Sequence, residues 1–303
     1  MSKAPFIDPS AARKNPELAV DFLAHHLREG SLALALGAGA SRHLKLPRWF
    51  ELVNACSKEA GMKATFGKDT STDELCDRME KIECKYSGGK ADKGHSIKYR
   101  KLVTRALYKG VNYGNILHGE LLMAVGSLLM GARRGSVTEV INFNFDDVLE
   151  WYLYLHGYDV NVISTLPSLR TGANVTIFHP HGFLPHHNEF TGSNFLIFSR
   201  RSYDKKMGDS VEPWTDLTKS ILKSKVVLFV GLSGSDQTFG PIFDNVHTTL
   251  GKTRQTGVWL FTKKDKADKL DQLEGRNFIV LEFEKHEDWP SFLLRVCQAA
   301  ARP

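Results

Sequence analysis

Four polar clusters in this chain carry residue types that do chemistry, and each follows an apolar run that reads as a strand. The first is Gly37-Ala38-Gly39-Ala40-Ser41, after the run Leu32–Leu36. Glycine has no Cβ, so Gly37 and Gly39 let the backbone turn sharply and approach a ligand closely. Amides at the start of the following helix would face an anion such as a pyrophosphate. The match to G-x-G-x-x-G is partial, because Arg42 stands where the third glycine would be. The second cluster is Asn142-Phe143-Asn144-Phe145-Asp146-Asp147. Its Asn144 amide can donate and accept hydrogen bonds at once. The third, Phe178-His179-Pro180-His181-Gly182, offers His181 as a candidate general base. The fourth is Gly231-Leu232-Ser233-Gly234-Ser235-Asp236.

Each cluster also has a plain structural reading. The glycine turn can be a tight strand-to-helix connection. Asn144 can cap the helix after it, as Ser233, Ser235 and Asp236 can cap theirs. His181 can be a turn histidine satisfied by backbone groups. The recurrence of such clusters at strand ends says more than any one of them, because open parallel sheets bind ligands beyond the carboxyl ends of their strands.

The elements that must position these residues read as follows. Pro16–Glu29 is an amphipathic helix with Leu18, Phe22, Leu23 and Leu27 near helical spacing and Gly30 as its cap. The first strand follows, and Trp49, Leu52 and Val53 mark one face of the next helix. Residues 61–135 lose the strand signal and read as a helical insertion within a single domain spanning residues 1–303, with helices at Thr72–Cys84, Ile97–Tyr108 and Asn115–Ala132. Strand and helix then alternate. Strands are expected at Val137–Phe143, Val160–Ile163, Val175–Phe178, Phe195–Phe198, Lys225–Val230, Gly257–Phe261 and Phe278–Phe283. Helices are expected at Asp146–Leu155, with both aspartates in its first turn, near Trp214–Lys223, and at Trp289–Ala300. This rhythm predicts an α/β fold with a doubly wound parallel sheet.

Composition bounds the function classes. At 303 residues the chain can bury a sizeable core, and no apolar run approaches the roughly 20 residues of a membrane span. The start Met-Ser-Lys-Ala-Pro has no apolar signal core, so a cytoplasmic protein is expected. The cysteines Cys56, Cys76, Cys84 and Cys297 form no Cys-x-x-Cys pair, which argues against a structural zinc site or a disulfide framework and for reduced, packed thiols. The net charge is +6, concentrated between Lys85 and Lys109. That cluster contains Gly88-Gly89 and few aromatics, so a solvated face or mobile loop is favoured over a nucleic-acid surface.

The order Gly-Ala-Gly-Ala-Ser, Leu-Pro-x-Trp, Asn-Phe-Asp-Asp-Val-Leu-Glu, His-Gly and Phe-Val-Gly-x-Ser-x-x-Asp resembles the sirtuin-like NAD-binding domain, specifically the bacterial branch of antiphage defence systems. The resemblance runs from about Leu18 to Leu294, with residues 61–135 matching only as a helical insertion. It implies that Gly37, Ala38, Gly39 and Ser41 line the dinucleotide phosphates, and that Asn144 and His181 are the catalytic pair. Ser233 and Asp236, with Gly231 before them, would lie near the adenosine ribose or pyrophosphate. Two departures stand out. Sirtuin deacylases carry a four-cysteine zinc module that this chain cannot build. Their first motif also continues into a Gly-Ile-Pro-Asp-Phe-Arg-like run, where this chain has Leu44-Lys-Leu-Pro47-Arg48-Trp49.

The resemblance therefore implies an NAD+ glycohydrolase that takes NAD+ as substrate and needs no metal. A constantly active NADase would kill its host, so gating by a homo-oligomer or a separate activator or sensor chain is expected, with nucleic acid acting only through such a partner and no membrane involved. Two alternatives stay open: an NAD-dependent protein deacylase, and a non-catalytic module that senses NAD or a related nucleotide.

Overall fold

The computed structural model describes residues 6–63, 65–87, 96–168, 172–198, 202, 212–232, 239–251, 254–263, 273 and 275–302. Helices α1 (Pro9–Lys14) and α2 (Pro16–Arg28) lead into strand β1 (Leu32–Leu36). Pro16 opens α2, and the Asn15 side chain accepts from the Glu17 amide, so this start is set by local sequence. A 3-10 helix, Ala38–Leu44, follows β1; then come α3 (Trp49–Glu59), α4 (Thr72–Ser87), α5 (Ile97–Leu107), a second 3-10 helix, Tyr113–His118, and α6 (Glu120–Leu129). The rest of the chain is β2 (Glu139–Asn142), α7 (Val148–Leu155), β3 (Val160–Ile163), β4 (Val175–Phe178), α8 (Pro213–Ser224), β5 (Val226–Val230), α9 (Phe239–Leu250), β6 (Gly257–Thr262), β7 (Phe278–Phe283) and α10 (Trp289–Ala301).

The strands form one seven-stranded sheet in the order β3-β4-β2-β1-β5-β6-β7, parallel throughout. Both faces are covered, as a parallel sheet requires. The alternation in β1 shows how. Leu32, Leu34 and Leu36 join a core with Phe22, Leu23 and Leu27 of α2 and Phe292 and Val296 of α10. Ala33 and Ala35 point to the other face, where their small side chains leave room for Phe229, Trp259 and Phe278 and for Ile242 and Phe243 of α9. The Phe229 and Trp259 rings stack 4.3 Å apart in nearly parallel planes. Among the described residues no helix is long and apolar enough to cross a membrane.

From β1 the chain moves to β2, then out to β3 at the sheet edge and back to β4 between them, before crossing to the other side of β1 to add β5, β6 and β7 in turn. The winding therefore reverses between β1 and β5. The register pairs Leu36 with both Asn142 and Val230, and Ile141 with Phe178, so these four strands end at one edge. That edge carries the polar clusters, and the β1–β5 reversal is where ligands enter open α/β sheets.

Several expectations change in detail. Residues 195–198 are not a strand; they run as an irregular segment in which the Ile197 amide donates to the His181 carbonyl at 2.8 Å. Asn115–Ala132 is not one helix, because the chain breaks at Gly119 between a 3-10 helix and α6. His43 packs where a Gly119 side chain would sit, so the break makes room for an inserted ring. Helix α7 starts at Val148, after both aspartates. Leu18 and Leu117 are exposed although both lie in apolar patterns. Helices α3, α4 and α5 pack on one another, whereas α6 packs against α10. The described part of the basic run is mostly an exposed face, as expected: Lys85, Lys98, Lys101, Arg105 and Lys109 are exposed, although Lys85 donates to the Ala60 carbonyl, Arg100 donates to the Ser193 carbonyl, and Arg105 and Lys109 lie 3.9 Å from Glu59. Lys90 and Lys93 of that run lie outside the described residues.

The ends of β1 and β5 meet at their backbones. A Cβ on Gly37 would lie 2.5 Å from the Gly231 carbonyl oxygen, and one on Gly39 would lie 2.8 Å from Gly231 Cα. Gly231 itself has φ +74°, the left-handed region that disfavours side chains. Gly37→Ala should therefore cost about 1–3 kcal/mol by overpacking. Gly67→Ala, where nothing lies within 4 Å of the added carbon, should shift stability by less than about 0.5 kcal/mol. Urea unfolding midpoints check this; equal midpoints for the two variants would refute the close-contact account.

Candidate functional site

The site is built from the loops that leave β1, β2, β4 and β5. Backbone bonds join them just beyond the sheet. The Gly37 amide donates to the Val230 carbonyl at 3.0 Å, and the Phe143 amide to the Leu36 carbonyl at 2.9 Å. The Gly39 amide reaches the Gly231 carbonyl at 3.4 Å, and the Leu184 amide donates to the Phe145 carbonyl at 2.8 Å. The amides of Gly37 and Gly39 are thus taken up by the β5 end. The remaining rim is the exposed Ala38 and the half-buried Gly39 and Gly231. Ser41 is buried, and its hydroxyl donates to Asp146 Oδ1 at 3.0 Å. It therefore ties the first loop to the second. Ser233 and Asp236 lie outside the described residues.

Asn144 is 8% exposed, and its Nδ2 donates to the Gly37 carbonyl at 3.0 Å. That acceptor fixes the orientation of the amide and leaves Oδ1 on the other side. His181 is half-buried and lies against the two rings that flank Asn144 in sequence. Its ring centroid is 5.1 Å from Phe143 and 6.4 Å from Phe145. The Phe145 ring stacks on Phe198 at 4.2 Å, and Phe198 stacks on Trp49 at 5.5 Å. The structure thus holds Asn144 against the glycine turn and His181 against the rings on either side of Asn144, beside an aromatic wall that reaches the start of α3. Gly182, with φ +104°, turns the chain after His181; a Cβ there would lie 2.5 Å from the Phe195 carbonyl oxygen.

Beneath these residues is a buried polar layer. His179 is fully buried; its Nδ1 lies 2.9 Å from the Asn144 carbonyl oxygen and its Nε2 2.8 Å from Glu150 Oε1. Asn142 accepts from the Asn144 amide at 3.1 Å and reaches Glu150 Oε1 at 3.5 Å. Asp147, expected to cap α7, holds the loop after β4 instead. Its Oδ2 accepts from the amides of His186 and His187 and from His187 Nδ1, at 2.8–2.9 Å. Tyr113 donates its hydroxyl to Asp147 Oδ1. The Tyr108 hydroxyl has one proton, and the 2.6 Å bond to the Leu184 carbonyl takes it, so Tyr108 accepts from the Asp147 amide at 3.3 Å. Burial, and then the Asp147 charge, push both phenols above their ordinary range. Trp151 lies flat on His187 at 3.7 Å and closes this side.

The sequence reading missed His179, Glu150 and Asn142. A proline separates His179 from His181, and only the fold tells which imidazole faces inward. The signal available was Glu150 inside an apolar helix, since a glutamate on a buried face calls for a partner. The free thiols split: Cys56 and Cys297 are buried, Cys76 is half-buried and Cys84 is exposed. Burial pushes the Cys56 thiol up to about 12, which makes it inert packing. A depression of about 450 Å³ runs along the α8 face that carries Asp216, Lys219 and Lys223 and is lined by none of the strand-end residues.

Asp146 carries a pH signature. Burial, and then the Glu150 charge, raise its carboxyl from 3.8 to about 7, while the bonds from Ser41 and Val148 act in the opposite sense. The native state thus keeps this proton up to about pH 7, whereas the unfolded chain releases it near pH 4. Stability conferred by the protonated form is full below the lower value and is lost as pH rises through the upper one. Asp146→Asn retains an oxygen for Ser41 and Val148 but does not titrate. Urea midpoints across this window should fall less steeply for Asp146→Asn than for the unsubstituted protein; parallel slopes would remove Asp146 as the source.

No curated protein matches the chain. The family model described as a SIR2-like domain matches residues 138–281. That stretch begins just before β2 and ends within β7, so it contains Asn144, His179, His181 and Gly231, while the Gly37–Ser41 turn lies before it. The match implies NAD-related activity, and the all-parallel sheet agrees with a sirtuin-type Rossmann-like fold. Residues 138–281 of this chain are a SIR2-like domain.

Proposed function

We propose that this chain is an NAD+ glycohydrolase that releases nicotinamide and ADP-ribose. The observation that carries this reading is that, at the carboxyl edge of the sheet, the Asn144 side chain bonds to Gly37 of the Gly37–Gly231 reversal while His181 packs on Phe143, the residue before Asn144. Nicotinamide is cationic in NAD+ and leaves as a neutral molecule, so its departure needs no general acid. The transition state resembles an oxocarbenium ion, as in glycoside hydrolysis. A site for it must hold the ribose, exclude bulk water and admit one nucleophile.

Asn144, with Nδ2 turned to Gly37, presents Oδ1 to a ribose hydroxyl or to the attacking water. His181 is the base that takes a proton from that water or hydroxyl; the Phe143 and Phe145 rings restrict its imidazole and keep bulk water from that side. Ala38, Gly39 and Gly231 form the rim for the dinucleotide phosphates, and Ser41 acts through Asp146. The resemblance assigns Ser233 and Asp236, outside the described residues, to the adenosine side. The absence of any Cys-x-x-Cys pair favours water over an acyl-lysine as nucleophile. In a cell such an activity depletes NAD+, which suits a gated effector of antiphage defence controlled by self-assembly or by a separate activator chain.

The test is to incubate the purified chain with NAD+ at several protein concentrations and follow nicotinamide release. A rate that rises more steeply than linearly with protein reports assembly. His181→Ala and Asn144→Ala should each lower the rate by about 10²–10⁴-fold with the thermal transition retained. Full turnover in either variant would sink the assignment. Release that requires an acyl-lysine peptide and yields an acyl-ADP-ribose would replace hydrolysis with deacylation, and tight NAD+ binding without turnover under any condition would leave a sensing module.

A further inference from the structure

Asn144 sits in a loop that has left the sheet, so β-ladder bonds do not fix its backbone. Three strand ends hold it instead: Asn142 at the end of β2 accepts its amide, Gly37 after β1 accepts its side chain, and His179 after β4 meets its carbonyl. The third contact is the demanding one. A carbonyl oxygen only accepts, so His179 must carry a proton on Nδ1. The Nε2 atom and Glu150 Oε1, 2.8 Å apart, then share the one remaining proton of the pair. Both side chains are fully buried, and Glu150 Oε2 has no hydrogen-bond partner among the described residues. Stability does not account for this arrangement, because a well-packed apolar pair of similar volume is often as stable or more so.

We propose that His179, oriented by Glu150, is a positioning residue that holds the Asn144 peptide so that its side chain meets the substrate ribose. This rests on the reading of Asn144 as part of the NAD+ site. His179 touches no substrate; it acts through Asn144. Glu150 anchors the far side of the ring from the first turn of α7, and Phe183 packs on the imidazole at 4.4 Å and restricts its tilt. The Asn144 segment is thereby referred to the end of β4 and the first turn of α7, as orienting shells around reacting groups generally are.

Two amide substitutions separate the ring's two nitrogens. In His179→Asn the amide nitrogen stands near the Nδ1 position and can still donate to the Asn144 carbonyl. In His179→Gln it stands near the Nε2 position and keeps only the bond to Glu150. Selective ¹⁵N-asparagine labelling follows hydrogen exchange of the Asn144 side-chain amide, assigned by its loss in Asn144→Ala. Nicotinamide release gives kcat and KM, and thermal unfolding gives stability. His179→Gln should speed that exchange about tenfold and lower kcat about a hundredfold, with KM changed less than about threefold. His179→Asn should stay within about threefold of the unsubstituted protein in exchange and kcat.

A purely structural role would lower both melting points without separating the two variants. Equal exchange in the two, or an undisturbed kcat in folded His179→Gln, overturns the proposal. If His179→Gln does not fold, the combination His179→Leu with Glu150→Leu leaves no buried charge unpaired and takes its place with the same expectation. If the unsubstituted chain releases no nicotinamide, the hydrolase reading fails, and the exchange comparison still decides whether His179 positions Asn144.

Discussion

The backbone contact between Gly37–Gly39 and Gly231 is the constraint on which the site depends. At the winding reversal the chain ends of β1 and β5 approach until a single methyl group on Gly37 would touch the Gly231 carbonyl at 2.5 Å. That approach turns the Gly37 carbonyl toward Asn144, and the Asn144 amide takes its orientation from it. The glycines therefore have a packing role before any ligand role. Their amides bond to β5, and what remains for an anion is the rim at Ala38 rather than a nest of free donors.

A second constraint comes from three carboxylates packed close together in sequence. Asp146, Asp147 and Glu150 are all buried, and each is assigned a separate partner set: Ser41 and Val148 for Asp146, the 186–187 loop and Tyr113 for Asp147, His179 and Asn142 for Glu150. Three like charges in a low-dielectric layer cannot all ionise cheaply. The raised Asp146 carboxyl shows where the strain is relieved. The same residues bind the start of α7 to the first 3-10 helix, the helical region and the loop after β4, so the chemistry-bearing loops share one scaffold.

Much of the fold was legible from residue patterns. Alternation in Leu32–Leu36 and the apolar runs at Val226–Val230 and Gly257–Thr262 read directly as buried parallel strands, because both faces of such strands are covered. Misreadings arose where tertiary contacts override local pattern. Residues 195–198 are apolar and read as a strand, yet they pair with the backbone of a turn, not with the sheet. Asp147 looks like a helix cap by position, and its carboxylate is drawn away because loop amides and a phenol offer more donors than its own helix. His179 carries no signal of its own until the buried Glu150 is placed beside it.

The sequence by itself determined the strand–helix rhythm, the side-chain types available at the strand ends, and the resemblance to a sirtuin-like domain. These depend on local periodicity and on residue identity, which a linear chain displays. Only the tertiary structure decided which of two histidines is buried against Glu150 and which is half-buried beside Phe143, that Ser41 faces a carboxylate, and that the two glycine motifs, far apart in sequence, serve each other. Those outcomes depend on the parallel register, which pairs Leu36 with Asn142 on one side and Val230 on the other. Register is a property of how strands meet, and it is set by the packing of both sheet faces together rather than by any one stretch of chain.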